Sequence, residues 1–177
     1  MIKLVSLVAF AALSITCFTA SAQDQDKSKR PSPLVAVSQT ITGSKTVKIE
    51  YGQPSVKGRT IGKDLEPKAG EVWRAGANEA TTFEVSKDVT VEGKALPAGK
   101  YAVFMIDNGD EWTIIFNKTW KTWGAYDYEK NKAEDALQVK VKAGTSTPPS
   151  EKLTYTIAKD GTVALGWGEK QVKFVVK

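Results

Sequence analysis

The side chains best suited to binding or catalysis in this chain are concentrated in residues 70–82, which read GEVWRAGANEATT. This short segment combines carboxylates, a guanidinium, an amide and an indole between two stretches that have the pattern of β-strands. The side chains belong to Glu71, Trp73, Arg74, Asn78 and Glu79. Such a set can form either a ligand-binding site or a hydrogen-bonded polar network that only stabilises the fold.

Two hypotheses for this segment share one expected contact. Because Gly76 lies between Arg74 and Glu79, we expect the guanidinium and the carboxylate to meet across a turn as a charge-assisted pair. In the structural hypothesis, this pair holds a loop over the end of the fold, and Asn78 hydrogen-bonds backbone groups. In the binding hypothesis, Arg74 and Asn78 hold an oxygen atom of the ligand while Glu79 orients them.

Catalysis by carboxylates is a further hypothesis, because Glu71 and Glu79 could act as an acid–base pair in a hydrolase. A glycosidase needs two carboxyl groups about 5–9.5 Å apart, in surroundings that separate their pKa values. Both groups would have to face one open cleft. Two glutamates in one loop are compatible with this geometry but do not require it.

Two more tryptophans lie in residues 117–124, NKTWKTWG, which lack the alternation of a strand. They could cap the open end of the fold, or they could stack on the apolar face of a sugar. The binding hypothesis places the site where this loop meets the charged segment, with a carbohydrate or another small polar molecule as the ligand. Its residues are Arg59, Trp73, Arg74, Asn78, Glu79, Trp120 and Trp123.

The composition excludes several classes of enzyme. The chain has no histidine, which rules out histidine-containing catalytic triads and zinc sites with histidine ligands. Its single cysteine, Cys17, lies in a segment that we expect to be removed, so we expect no thiol chemistry, no metal and no cofactor. The net charge is +5, but the lysines alternate with apolar residues as on solvated strands and the arginines are scattered. We therefore expect no nucleic-acid partner.

The N-terminal residues have the pattern of an export signal. Lys3 precedes an apolar run over residues 4–18, and the small residues ASA at 20–22 are typical of a cleavage site. We expect residues 1–22 to be cleaved, which would leave an exported protein, periplasmic or extracellular, without a membrane span. Residues 23–33 are polar and charged and are predicted to form a flexible leader.

Residues 34–177 show the short apolar alternations and turn signals of an all-β domain. We count about nine or ten strands, which predicts a single antiparallel β-sandwich, with a jelly roll as one arrangement. Residues 101–106 are apolar on both faces, which predicts a central strand covered on both sides. Residues 144–150 are predicted to form a loop rich in Pro, Thr and Ser, and residues 128–137 are the one candidate for a short helix.

Four stretches carry a resemblance to a known family. They read YGQPSVKGR at 51–59, GEVWRAGANEAT at 70–81, ALPAGKY at 95–101 and WTIIFN at 112–117. On these motifs the chain resembles the exported bacterial proteins grouped as domain of unknown function 2911. The resemblance implies a small exported domain, and it supplies no catalytic residues because the family has no established activity.

Together these patterns favour an exported, non-catalytic binding or interaction module. A carboxylate-dependent hydrolase and a purely structural, envelope-associated protein remain as alternatives. The three hypotheses differ in whether a cleft exists at this end of the fold and in which carboxylates face it.

Overall fold

The computed structural model describes residues 26–177, which form an antiparallel all-β fold. The strands are β1 (Leu34–Ile41), β2 (Lys45–Gly52), β3 (Val72–Trp73), β4 (Ala77–Val85), β5 (Val89–Val91), β6 (Lys94–Leu96), β7 (Gly99–Asp107), β8 (Glu111–Asn117), β9 (Asp135–Ile157) and β10 (Thr162–Val175). The helical elements are α1 (Tyr128–Asn131) and two 3₁₀ helices, Lys27–Lys29 and Lys132–Glu134. The predictions of an all-β fold and of about nine or ten strands are confirmed, since the structure has ten.

The expected signal peptide, residues 1–22, and residues 23–25 of the expected leader lie outside the described residues. Within residues 26–177, no helix combines the length and the apolar character needed to cross a membrane.

One curled sheet supplies both layers of the fold. Its strands follow the order β1-β2-β4-β7-β8-β9-β10, with β3 paired to β7, while β5 and β6 form a separate hairpin. The first half of β9 pairs with β8 and the second half pairs with β10. Because the long strand β9 is shared in this way, the sheet curls into a half-barrel instead of dividing into two separate sheets.

The concave face of this sheet encloses the main core. The alternating apolar residues of β2, Val47, Ile49 and Tyr51, all point into it and are buried. At its centre Phe83 and Phe116 pack edge to face, with ring centroids 5.0 Å apart. Burying each such side chain stabilises the fold by about 1.5–3 kcal/mol, so the core can hold the domain together without the help of a disulfide.

The convex face of β7 is also covered, as the sequence predicts for this strand. Ala102 and Phe104 are buried there in a second, smaller cluster. Tyr128, the first residue of α1, covers them, and its ring centroid lies 5.0 Å from that of Phe104. The segment between β8 and β9 therefore folds back over the sheet, and it brings the tryptophan loop to the outer surface of β4.

The prediction of a loop at residues 144–150 is wrong, because β9 continues through this segment beside β10. The pairing with β10 is interrupted between Thr145 and Ser150. Pro148 and Pro149 lie in that interruption, where their missing N–H groups break no ladder hydrogen bond. The cluster of Pro, Thr and Ser residues thus marks an irregular stretch of a strand instead of a turn.

Candidate functional site

The segment that joins β3 to β4 is fixed by buried hydrogen bonds. The carbonyl oxygen of Ala75 accepts hydrogen bonds from the Thr81 hydroxyl and from the Tyr155 hydroxyl, each at 2.9 Å. The Trp73 indole donates to the Gly76 carbonyl at 3.1 Å. All five residues are buried, so these bonds are shielded from water and hold the backbone in one conformation.

That conformation needs special backbone geometry on both sides of Gly76. Ala75 has φ of 54° and Asn78 has φ of 66°, a left-handed region that asparagine tolerates better than most residues. A Cβ atom on Gly76 would lie 2.7 Å from the Thr81 hydroxyl oxygen, so only glycine fits there. The two turns send Arg74 and Glu79 into two different clefts, described below.

Glu79 forms its ion pairs with the start of the described chain. Arg30 Nη1 donates to both carboxylate oxygens of Glu79, at 2.9 and 3.0 Å. Lys27 Nζ lies 3.2 Å from Glu79 Oε1. The expected pair of Arg74 with Glu79 is wrong, because two cations from another part of the sequence already occupy this carboxylate.

The N-terminal segment, defined here as residues 26–33, lies against β4 through these contacts. Its 3₁₀ helix, Lys27–Lys29, is capped at the N-terminus by Asp26, whose side chain accepts a hydrogen bond from the Ser28 N–H at 3.1 Å. Farther along, the Asn78 amide donates to the Ser32 carbonyl at 2.9 Å. The described part of the expected leader therefore has defined contacts with the site segment, by which we mean residues 74–81 between β3 and the middle of β4.

The pKa of Glu79 reflects these two cations. Partial burial acts to raise the pKa, but the hydrogen bond from Arg30, the backbone and the contact with Lys27 together outweigh it. The pKa of Glu79 consequently lies below its ordinary value. At neutral pH this side chain is a carboxylate that accepts hydrogen bonds and cannot donate one.

The aromatic loop, residues 118–127, is attached to the first part of β4. The Ala80 N–H donates to the Thr122 carbonyl at 3.1 Å, and the Gly124 N–H donates to the Asn78 carbonyl at 3.0 Å. Trp123 lies between these two bonds and forms a bridge with β4. Its position is therefore set by backbone hydrogen bonds on both sides.

The two ends of the aromatic loop are fixed by buried polar groups. The fully buried Asn117 donates from Nδ2 to Asp135 Oδ1, and its side-chain Oδ1 accepts from the Thr119 N–H, both at 2.8 Å. The Tyr128 hydroxyl donates to Asp135 Oδ2 at 2.8 Å. Burial and the neighbouring Asp135 carboxylate raise the pKa of Tyr128, so the hydroxyl stays protonated as a donor.

The aromatic loop and the N-terminal segment enclose the first cleft, which we call the aromatic cleft. It has a volume of about 350 Å³. The side chains that characterise it are Lys27, Glu50, Glu79, Trp120, Lys121 and Trp123. Trp123 is 55% exposed, which is unusual for a residue of this size and apolar area.

Cations surround the other tryptophan of the aromatic cleft. Lys100 Nζ lies 4.7 Å and Lys121 Nζ lies 5.0 Å from the centroid of the Trp120 ring, within range of a cation–π interaction. Lys100 also donates to Glu50 Oε2 at 3.0 Å, and this bond is the main reason that the pKa of Glu50 lies below its ordinary value. The cleft thus combines an indole surface with ionised groups of both signs.

The second cleft, which we call the polar cleft, has a volume of about 330 Å³. Ser32 of the N-terminal segment belongs to its lining, whereas Lys27 of the same segment lines the aromatic cleft. Two buried tryptophans, Trp73 and Trp167, form part of its wall. Its charged side chains are Arg59, Lys63, Asp64, Glu66, Lys68 and Arg74.

The residues expected to form one site are therefore divided between two clefts. Arg59, Trp73 and Arg74 line the polar cleft, while the other side chains line the aromatic cleft or lie beside it. Those other side chains are Asn78, Glu79, Trp120 and Trp123. Asn78 lies between the two groups, where its amide is already bonded to the N-terminal segment.

Sequence reasoning missed several lining residues of the aromatic cleft. Lys27 was missed because it lies in a region with the composition of a flexible leader, and Leu34, the first residue of β1, has no polar side chain that would mark it as a site residue. The orientation of Glu50 could have been predicted, since it alternates with the buried residues Ile49 and Tyr51 and must therefore face outward on β2. Nothing in the local pattern indicates which loop that outer face would meet.

The carboxylates required for a hydrolase do not share a cleft in this structure. Glu71 is exposed and lies outside the lining of both clefts, whereas Glu79 lines the aromatic cleft. Across residues 26–177, acidic side chains do not gather in groups of three or more that could hold a metal ion.

A family model matches residues 32–176 of the chain, which is most of its length. The chain belongs to the family described as Protein of unknown function (DUF2911). This is the family that the four sequence motifs indicate. No curated protein and no solved structure gives a significant match to this DUF2911 chain.

Proposed function

We propose that this DUF2911 domain is an exported, non-catalytic binding module that holds a carbohydrate in its aromatic cleft. The observation that carries the proposal is the exposed Trp123, held beside Trp120 and two ionised carboxylates in one concave site. A ligand pocket typically combines an apolar surface with a few polar groups that fix the orientation of the ligand. The aromatic cleft has both components.

The chemistry of a sugar matches the two components of this cleft. The C–H face of a pyranose ring is apolar and can stack on an indole, whose rigid surface is ordered at little entropic cost. The hydroxyl groups of the sugar can donate to Glu50 and Glu79 and can accept from Lys121. Lys121 forms no ion pair within the described part of the chain, so its ammonium group is available.

The electrostatics favour binding over hydrolysis. A general acid needs a raised pKa so that it holds a proton at neutral pH. The pKa of Glu79 is instead lowered, with Arg30 and Lys27 as partners, and the exposed Glu71 lies away from this cleft. The purely structural alternative has no use for an exposed tryptophan in a cleft of this size.

Export is part of the proposal and is supported by the sequence. The apolar run at residues 4–18 and the small residues at 20–22 are typical of a cleavable signal. Mass spectrometry of the protein recovered from its native host would test it, with an N-terminus at Gln23 as the expected result.

The binding proposal is tested by titrating the purified protein with neutral oligosaccharides, such as cello-, xylo- and chito-oligomers, in a calorimeter. We expect at least one series to bind, and we expect Trp123→Ala to weaken that binding about tenfold or more, a loss of about 1.4 kcal/mol. The matched control is Tyr126→Ala, which removes a still more exposed aromatic side chain that does not line the cleft.

Both variants should keep the thermal midpoint of the unmodified protein, because the side chains they remove are largely exposed. Equal losses of affinity in the two variants, or no binding across the three series, would contradict the proposal.

A further inference from the structure

Among residues 26–177, Arg74 is the one charged side chain with a buried nitrogen atom that lacks a hydrogen-bond partner. Its Nε is buried and has no hydrogen-bond partner, and within residues 26–177 its side chain forms neither a hydrogen bond nor an ion pair. Buried charged donors are normally paired, because leaving one unpaired costs more free energy than leaving a neutral group unpaired. An unpaired arginine at the wall of a cleft therefore indicates a partner that comes from outside the chain.

The two carboxylates in the lining of the polar cleft form no ion pair with Arg74 in the described part of the chain. Asp64 Oδ2 accepts a hydrogen bond from the Thr60 N–H at 2.9 Å, and Glu66 Oε2 accepts one from the Lys68 N–H at 3.3 Å. Neither carboxylate forms an ion pair in the described part of the chain. Each of them instead accepts a hydrogen bond from the backbone of its own loop.

Positive charge exceeds negative charge around the polar cleft. Four cations and two carboxylates line it, and the other three cations, Arg59, Lys63 and Lys68, are all exposed at its edge. Arg59 uses Nε and Nη2 for hydrogen bonds to the carbonyls of Val56 and Ser55, and its Nη1 has no hydrogen-bond partner among residues 26–177. A small anion in this cleft would meet arginine donors together with exposed ammonium groups.

The backbone that carries Arg74 is already fixed before any ligand arrives. The Arg74 carbonyl accepts a hydrogen bond from the Thr81 N–H at 3.2 Å, and the next residue, Ala75, is held by the buried bonds to its carbonyl. Trp73 on the other side is buried and bonded to Gly76. A donor held in this way binds with little loss of conformational freedom.

From these observations we propose a second site on this domain, in which the polar cleft binds the carboxylate or phosphate group of a small molecule. Arg74 is the central donor, Arg59 is a second donor, and Lys63 and Lys68 supply positive charge at the rim. Arginine suits this role because its planar fork of N–H groups matches the oxygens of both kinds of anion. The site is separate from the aromatic cleft and does not depend on carbohydrate binding.

The test measures the thermal midpoint of the purified protein in sodium phosphate, sodium citrate and sodium chloride at matched pH and ionic strength. A ligand that binds only the folded state raises the midpoint. We expect phosphate, citrate or both to raise it above the value in chloride, and to raise it more in the unmodified protein than in Arg74→Met, since both salts also stabilise folded proteins in general. A response to phosphate alone would assign the site to phosphate groups, and a response to citrate alone would assign it to carboxylates.

Three variants locate the effect. Arg74→Met should lower the affinity for the anion that raised the midpoint about tenfold or more, because a hydrogen-bonded charge is lost. Lys68→Gln changes an exposed position, so the variant should fold normally. It should lower the affinity for the same anion about threefold through lost Coulombic attraction. Lys121→Gln makes the same change of charge in the aromatic cleft and should leave the response unchanged.

A second readout separates binding from a structural role. Without added anion, Arg74→Met should be at least as stable as the unmodified protein, because it removes an unpaired charge and keeps the aliphatic stem. Two results would contradict the proposed anion site. One is the same midpoint in all three salts, and the other is a response of Arg74→Met and Lys68→Gln to the anions that equals that of the unmodified protein. Oligosaccharide titrations of the same samples report separately on the aromatic cleft.

Discussion

At the scale of single residues, the contact between Arg30 and Glu79 connects the N-terminal segment to β4. We predict that Arg30→Met lowers the free energy of unfolding by about 0.5–1 kcal/mol, because both side chains remain partly exposed to solvent that screens the pair. Amide hydrogen exchange should also accelerate across residues 26–33, with little change in the strands of the core. Mass-spectrometric exchange and chemical denaturation measure the two effects.

The control for this variant is Lys130→Met, which removes a cation from an exposed pair with Asp127. It should change neither the exchange rates of the N-terminal segment nor the stability, since such a pair contributes almost nothing. Unchanged exchange at residues 26–33 in Arg30→Met would show that other contacts hold the segment.

The same pair shows where residue-level prediction ends. The sequence indicates that Glu79 needs a cationic partner, and Arg74 is the nearest candidate along the chain. The actual partner, Arg30, is separated from Glu79 by 49 positions and lies in a segment whose composition is typical of disorder. Local pattern therefore identifies the polar residues of the site, but the tertiary fold decides which of them meet.

At the scale of elements, the approach of β2 to β4 fixes the start of the site segment. Gly52 faces Ala77 at an irregularity in the pairing, and a Cβ atom on Gly52 would lie 2.1 Å from the Ala77 carbonyl oxygen. We predict that Gly52→Ala lowers the free energy of unfolding by about 3 kcal/mol, because the two backbones must separate to relieve this overlap. Urea denaturation followed by tryptophan fluorescence measures the loss.

A matched substitution separates this overlap from the general effect of removing a strand glycine. Gly144 in β9 also faces a paired strand, but a Cβ atom there would lie 3.3 Å from its nearest neighbour, the Gln171 carbonyl oxygen. Gly144→Ala should cost less than about 1 kcal/mol. Similar losses in the two variants would show that close backbone approach is not what requires Gly52.

Most elements could be predicted from the sequence, because alternation and turn signals are local. The strands β2, β7 and β8 follow their apolar pattern, and the Asn108-Gly109 pair, a sequence that favours hairpin turns, joins β7 to β8. The long strand β9 could not be predicted, because its central stretch pairs irregularly with β10 and therefore lacks alternation. The curl of the sheet follows from that strand, so it was missed as well.

At the scale of the whole molecule, the absence of histidine predicts a stability that changes little near neutral pH. No side chain has an ordinary pKa between about 5 and 8 except histidine, and the chain contains none. The shifts in carboxylate pKa are downward: the pKa of Glu50 and the pKa of Glu79 both lie below the ordinary value of 4.5. Their contribution to stability is present above pH 4.5 and is lost as the pH falls through their lower native values.

The alkaline limit of stability depends on buried tyrosines, above all Tyr155. Burial raises its pKa above the ordinary value of 10.0, so above pH 10 the unfolded chain loses a proton that the folded protein keeps. The unfolded state then binds fewer protons, and stability falls as the pH rises. Each such proton adds a slope of about 1.4 kcal/mol per pH unit.

We therefore predict that Tyr155→Phe lowers stability at pH 7 by about 1 kcal/mol, through the lost hydrogen bond to Ala75. Above pH 10 the same variant should lose stability less steeply than the unmodified protein, by about 1.4 kcal/mol per pH unit. The control, Tyr126→Phe, changes an exposed tyrosine and should leave the slope unaltered. Urea denaturation from pH 4 to pH 11.5 gives the free energy of unfolding as a function of pH. If that free energy falls with the same slope above pH 10 in Tyr155→Phe and in the unmodified protein, Tyr155 ionises without unfolding and the prediction is wrong.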